Sequence, residues 1–176
     1  TDLIPYLDST NPMVRGSAGA CLYSSNPEIY EPMMKAWLKS PHMDQRQSGI
    51  ISVGLSQDQE YVGPLLAILS EKHNNPLIPD VILALSRLRT KALNKEISPY
   101  LSHEKQEIRT AALNALEIND ALFMRKAIAL LGDSNDTVHE LAKEKIREAP
   151  YQNHKVLVES LGLPSTKIRR GLFELL

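Results

Sequence analysis

One cysteine, one tryptophan and two phenylalanines are all that 176 residues contain of those types. Cys21 has no partner within the chain, so no intramolecular disulfide staples the fold. Aromatics make up 5% of the residues against 43% hydrophobic overall, so the core has to be mainly aliphatic, and the length suffices to bury one. No apolar run approaches the roughly 20 residues of a membrane span, and a cytoplasmic location is the expectation. Charge of one sign is also missing. The net charge is -1, with 7 Lys/Arg against 9 Asp/Glu up to Thr90 and 13 against 12 beyond it. Neither part supplies the cationic groove that neutralising phosphates requires, so nucleic acid is not an expected partner. Gly162-Leu163-Pro164-Ser165-Thr166-Lys167 lacks the second glycine and the preceding strand of a phosphate-binding loop, and no nucleophile elbow is present.

What the sequence does have is a period. Leucines at Leu7, Leu38, Leu69, Leu101, Leu131 and Leu161 stand 30 to 32 residues apart. Eight residues after them come Arg15, Arg46, Leu77, Arg109, His139 and Arg169, and three residues later again a small side chain recurs at Ala18, Gly49, Ala112 and Ala142. An apolar stripe closes each unit at Leu22, Val53, Leu85, Leu116, Ile146 and Leu176, the third unit carrying one extra turn residue. Self-similarity at this spacing is the mark of stacked two-helix repeats, each too small to bury its own apolar face. A small residue at one helical position lets the neighbouring helix approach closely.

Punctuation sets the boundaries. Asn11-Pro12, Asn26-Pro27, Ser40-Pro41 and Asn75-Pro76 each put a capping side chain before a proline, and the prediction is a helix start at each. Apolar residues recur at three and four, and no strand-length alternation occurs. The expectation is an all-α chain of about twelve helices in six hairpins, with repeats near 1–25, 26–57, 58–90, 91–118, 119–150 and 151–176 forming a single domain.

Tyr6-Leu7-Asp8 with Asn11-Pro12-Met13-Val14-Arg15, Tyr100-Leu101 with Ile108-Arg109-Thr110-Ala111-Ala112-Leu113, and Leu130-Leu131 with Asp133, Val138 and Ala142 resemble HEAT-type repeats of the short bacterial kind. The resemblance implies a right-handed α-α superhelix whose second helices line a concave face. It implies no single activity. The opening Leu3 to Gly16 also looks like the HEAT segment of large bacterial membrane proteins, where such a module links a transporter-like region to a cyclic-nucleotide-binding domain. The first helix before Leu7 is short and the chain stops in the apolar stripe Gly171 to Leu176, so a piece of a longer polypeptide is expected, because solenoids need polar terminal repeats.

Candidate chemistry is sparse. The arginines at Arg15, Arg46, Arg109 and Arg169 would form a cationic ladder for an anionic partner or, as in HEAT repeats, would each pair with an acid or helix end of the adjacent repeat. The second reading is favoured, because a residue in phase with the repeat serves the repeat first. His103-Glu104 and His139-Glu140 invite comparison with the HEAT-like deoxyhypusine hydroxylase, which holds two irons with His-Glu pairs, but here the pairs are out of phase. His42, His73 and His154 form no ligand spacing. Lys143, Lys145, Arg147, Lys167, Arg169 and Arg170 are interleaved with Glu140, Glu144 and Glu148, and the i,i+3 pairs Glu140 with Lys143, Glu144 with Arg147 and Lys145 with Glu148 predict a salt-bridged face. Asn135-Asp136-Thr137 matches a glycosylation acceptor by accident of composition. Trp37 is a core residue in this reading rather than a binding anchor.

These readings predict a non-catalytic protein interaction or spacer module without cofactor or metal, whose partner is another protein or a neighbouring domain. Outward positions on the second helices, Gly16, Gln47, Thr110, Glu140 and Arg170, are the expected partner-binding residues. The alternative is a HEAT-like enzyme of the bilin lyase or hydroxylase kind, or a nucleic-acid-binding repeat protein such as the HEAT-like DNA glycosylase.

Overall fold

The computed structural model describes residues 2–71, 76–149 and 154–176, the side chain of His154 excepted. Among them the chain is all-α, with eleven α-helices, three 3-10 turns and no strand. It divides into two compact units, Thr1–Lys91 and Ala92–Leu176.

In the first unit a 3-10 turn at Ile4–Asp8 leads into α1 (Pro12–Ser25), α2 (Pro27–Leu38), α3 (Met43–Ser56), a 3-10 turn at Gln59–Tyr61, α4 (Val62–Ser70) and α5 (Ile78–Arg87). Here α1 packs on α3 and α3 on α5, while α2 lies against α1 and α3, and α4 against α5. Met34, Ile50, Val53, Leu65, Ile78, Ile82 and Leu85 are fully buried between them. Glycines make the close approaches. A Cβ on Gly16 would stand 2.7 Å from the Ser48 carbonyl oxygen, and one on Gly54 2.7 Å from the Ala84 Cβ. The Trp37 ring is half-buried over Gly19.

The second unit runs through α6 (Leu93–Ile97), a 3-10 turn at Ser98–Ser102, α7 (Gln106–Ala115), α8 (Ala121–Leu130), α9 (Asp136–Arg147), α10 (His154–Ser160) and α11 (Thr166–Phe173). Here α7 packs on α9 and the 3-10 turn, α8 on α9 and α10, and α11 on α8 and α10. Ile108, Leu113, Leu116, Met124, Leu131, Val138 and Leu172 fill the core. A buried amide fastens one connection: Asn94 donates from Nδ2 to the Glu117 carbonyl at 2.6 Å and accepts from the Glu117 N–H at 2.9 Å. Ala112 is buried completely where α7 meets α9. Ala112→Leu is expected to cost about 1 to 3 kcal/mol by overpacking, and an unchanged unfolding midpoint would disprove the register.

Two of the four predicted starts coincide with helix starts. Asn11 caps α1, its side chain accepting from the Met13 N–H at 2.9 Å, and α2 begins at Pro27. The other two come early. After Ser40-Pro41, α3 starts at Met43, because the Ser40 hydroxyl accepts the His42 N–H and donates to Gln45, forming a turn before the helix. Asn75 and His73 lie outside the described residues, and α5 starts at Ile78, two residues past Pro76. The motif at Asn135 is itself a cap: the Asn135 side chain accepts the Val138 N–H at 3.2 Å and donates to Gln106. Of the apolar stripe, Val53, Leu85, Leu116 and Ile146 are buried, whereas Leu176 remains 54% exposed. No helix among the described residues is long and apolar enough to cross a membrane.

Candidate functional site

The in-phase arginines are engaged within the fold. Each is placed near the start of its helix, where the guanidinium can fold back onto the preceding turn. Arg15 donates from Nη1 to the Ser9 carbonyl at 2.6 Å, Arg109 to the His103 and Glu104 carbonyls at 2.8 and 2.9 Å, and Arg169 to the Leu163 and Pro164 carbonyls at 2.8 and 3.0 Å. Ser9, His103 and Leu163 all stand two residues past a closing leucine, so one contact is made three times in register. Arg15 also reaches Ser48 and the Asp44 carbonyl, Arg46 pairs with Glu71 at 2.6 Å, and Arg109 grips both oxygens of Asp133 at 2.7 and 2.8 Å. These three therefore tie their helices to segments 24 to 33 residues further along the chain. Arg169 bonds to its own turn. Glu71 and Asp133 again stand two residues past closing leucines, a signal available in the sequence but given no role there. Burial pushes the Asp133 carboxyl up, but the Arg109 hydrogen bonds and the Asn135 N–H outweigh it and hold the group below the ordinary carboxylate range.

His139 occupies the arginine position and its Nδ1 lies 2.7 Å from the Leu131 carbonyl oxygen. His103 stacks on Tyr100 and accepts the Lys105 N–H at its Nδ1. Among the described residues no group of three or more His, Cys, Asp or Glu side chains stands where it could hold a metal ion.

The predicted partner-binding residues fall out differently in the two units. In the first, Gly16 is buried rather than outward, because α1 and α3 approach so closely there that Ser48 and Ile51 cover it. Gln47 is half-buried and donates to Asp80 of α5 at 2.9 Å, so it bridges two helices. Burial raises the Asp80 carboxyl above its ordinary value against the opposing pull of that bond and of Arg87.

In the second unit Thr110 and Glu140 line one open groove between α7 and α9, of about 550 Å³, together with Asn114, Asp136, Thr137, Leu141 and Glu144. Arg170 is joined to its edge by a chain of ion pairs. Lys143 contacts Glu140 and Glu174 at 2.8 Å each, and Glu174 contacts Arg170 at 3.4 Å. Glu140 and then Glu174 hold Lys143 above the usual lysine value, and Lys143 holds Glu174 below the usual carboxylate value. Glu174 was missed as part of this face. Of the three predicted i,i+3 pairs, Glu140 with Lys143 is formed, while Lys145 donates to the Asn114 carbonyl instead. The groove lining carries three carboxylates, Asp136, Glu140 and Glu144, over a mainly apolar floor, so it suits a cationic side chain with an aliphatic stem.

No protein-family model matches the sequence, and no curated protein matches it closely.

Proposed function

We propose that the chain is a non-catalytic interaction and spacer module, a HEAT-like right-handed solenoid of about six hairpins within a larger, membrane-associated protein, and that the α7–α9 groove takes a Lys/Arg-bearing segment of a protein partner. The observation that carries this reading is the convergence of Thr110 and Glu140, chosen from the repeat period alone, on one groove with Asp136 and Glu144. The arginine contacts repeated in register support the stacked-repeat reading, since they use the same position of successive units. Because Glu140 and Glu144 are solvated, each should contribute modestly to affinity and strongly to partner choice.

The test is co-precipitation from the source cells with the native chain and with Glu140→Lys/Glu144→Lys. Recovery of the specific partner should fall about fivefold or more at an unchanged unfolding midpoint. Equal recovery would place the binding face elsewhere. A native band well above 19.7 kDa in the membrane fraction is expected alongside; a soluble band at that mass would refute the spacer reading.

A further inference from the structure

Seven Lys and Arg are described in the first unit, and three of them form salt bridges. Arg15 and Arg46 join helices, and Lys35 pairs with Glu31 at 2.6 Å. Arg87, Arg89 and Lys91 form no salt bridge among the described residues, and all three line a single recess of about 820 Å³ at the end of α5. Three exposed like charges converging within five residues repel one another, an arrangement that an unoccupied surface gains nothing from. Among the described residues the lining contains no carboxylate.

The backbone adds a second, independent observation. Gln57 and Arg89, both lining the recess, adopt left-handed conformations with φ of 60° and 50°, at the ends of α3 and α5. Helix C-termini usually put glycine or asparagine at such positions, because a Cβ there is unfavourable. A glutamine and an arginine are held in strained backbone at the one place where their side chains edge the same concavity. The strain is over-determined by hydrogen bonds: Thr90 donates its N–H and hydroxyl to the Leu85 carbonyl, and Gln59 donates to the Leu88 carbonyl at 2.7 Å. The Thr90 bond and the one from the Arg89 N–H to the Ser86 carbonyl are those that close a helix end, and they fix the Arg89 side chain at the rim of the recess.

Val62 and Leu66 of α4 give the recess an apolar wall. Its volume lies within the range of small-molecule sites, about 300 to 1,000 Å³. Guanidinium groups match phosphate oxygens with paired, charge-assisted hydrogen bonds, and a phosphate monoester carries close to two negative charges at neutral pH. We propose that this recess is a binding site for a small soluble phosphate monoester with an apolar or aromatic body, the phosphate held by Arg87, Arg89 and Lys91 and the body laid against Val62 and Leu66.

Phenyl phosphate is the probe, titrated into the whole chain by calorimetry, with phenol and inorganic phosphate as the two halves of the ligand. Saturable binding is expected for phenyl phosphate, weaker for inorganic phosphate and absent for phenol, and it should weaken as salt rises. Arg89→Gly should weaken it about tenfold or more while the unfolding midpoint stays level or rises, since glycine relieves the left-handed backbone. Arg87→Gln should weaken it without touching any strained residue. No saturable binding up to about 5 mM, or equal affinity in both variants, would overturn the proposal. Vesicles containing phosphatidic acid present the same monoester on a lipid surface; if they retain the chain where phenyl phosphate does not bind, the small-molecule site is likewise refuted.

Discussion

Arg109→Met is expected to lower the unfolding free energy by about 3 to 5 kcal/mol, because it removes one partner of a buried, two-pronged ion pair and leaves the other charged. The Arg109 and Asp133 side chains are only 12% and 6% exposed. Without the guanidinium, Asp133 keeps a single N–H, that of Asn135, at 2.8 Å. Arg109→Met/Asp133→Leu should recover most of the loss, since replacing both charges with apolar groups removes the unpaired carboxylate. Chemical denaturation of the three variants reads this directly; a double variant no better than the single would show that the loss comes from the His103 and Glu104 carbonyls instead. The pH dependence has a definite sign. In the native chain Asp133 titrates below its unfolded value, so the stability it contributes is present above the ordinary carboxylate range and fades as pH falls through the lower, folded value. In Arg109→Met only the Asn135 N–H and the Lys167 charge still oppose the burial that raises the group, so the penalty is relieved on acidification. The gap between native and variant should therefore narrow below about pH 4.

Gly49→Ala is expected to destabilise by about 2 to 3 kcal/mol, even though alanine is the better helix former. The added Cβ would lie 2.5 Å from the Leu38 nitrogen and 2.8 Å from the Leu38 Cα, so it meets backbone that cannot turn aside. Gly63→Ala is the matched control. Gly63 is also helical, with nothing within 4 Å of the added atom apart from its chain neighbours, and the substitution should leave the midpoint about level, since Pro64 disfavours helical backbone before it once a Cβ is present and so offsets the propensity gain. Thermal unfolding of the pair separates packing from propensity; a stabilised Gly49→Ala would mean that α3 does not abut the end of α2 this closely.

The part of this architecture written in the sequence is the part that repeats. Leu38, Leu69, Leu101 and Leu131 are buried as the period requires, and the small residues Ala18, Ala112 and Ala142 sit at helix contacts. What the period hides is variation within one position. Residues nine after the leucine are solvated at Glu140 and Arg170 and half-buried at Thr110, yet Gly16 in the same phase is covered, since the distance between helices depends on residues from both. Helix starts fail in the same way: Ser40-Pro41 has the form of a cap, but whether the hydroxyl bonds a helix or a preceding turn is settled by Gln45 and His42. The groove was half legible, because Thr110 and Glu140 follow from phase and Lys143 from its spacing to Glu140, while Glu174, just past the end of α11, enters through a contact with α9 that no local pattern announces. The strained Gln57 and Arg89 carry no sequence signal, being residues that ordinarily avoid that conformation.

The arginines at the starts of α1, α7 and α11 fasten their turns through main-chain oxygens, and main-chain oxygens are the same in every residue. The shape of each turn is thus uncoupled from its wording. Ser9-Thr10-Asn11, His103-Glu104-Lys105 and Leu163-Pro164-Ser165 share almost nothing chemically, yet one cation six residues past the bonded carbonyl fastens each of them. Such turns are free to drift, to acquire contacts or to lose them, while the spacing of the helices they join is kept.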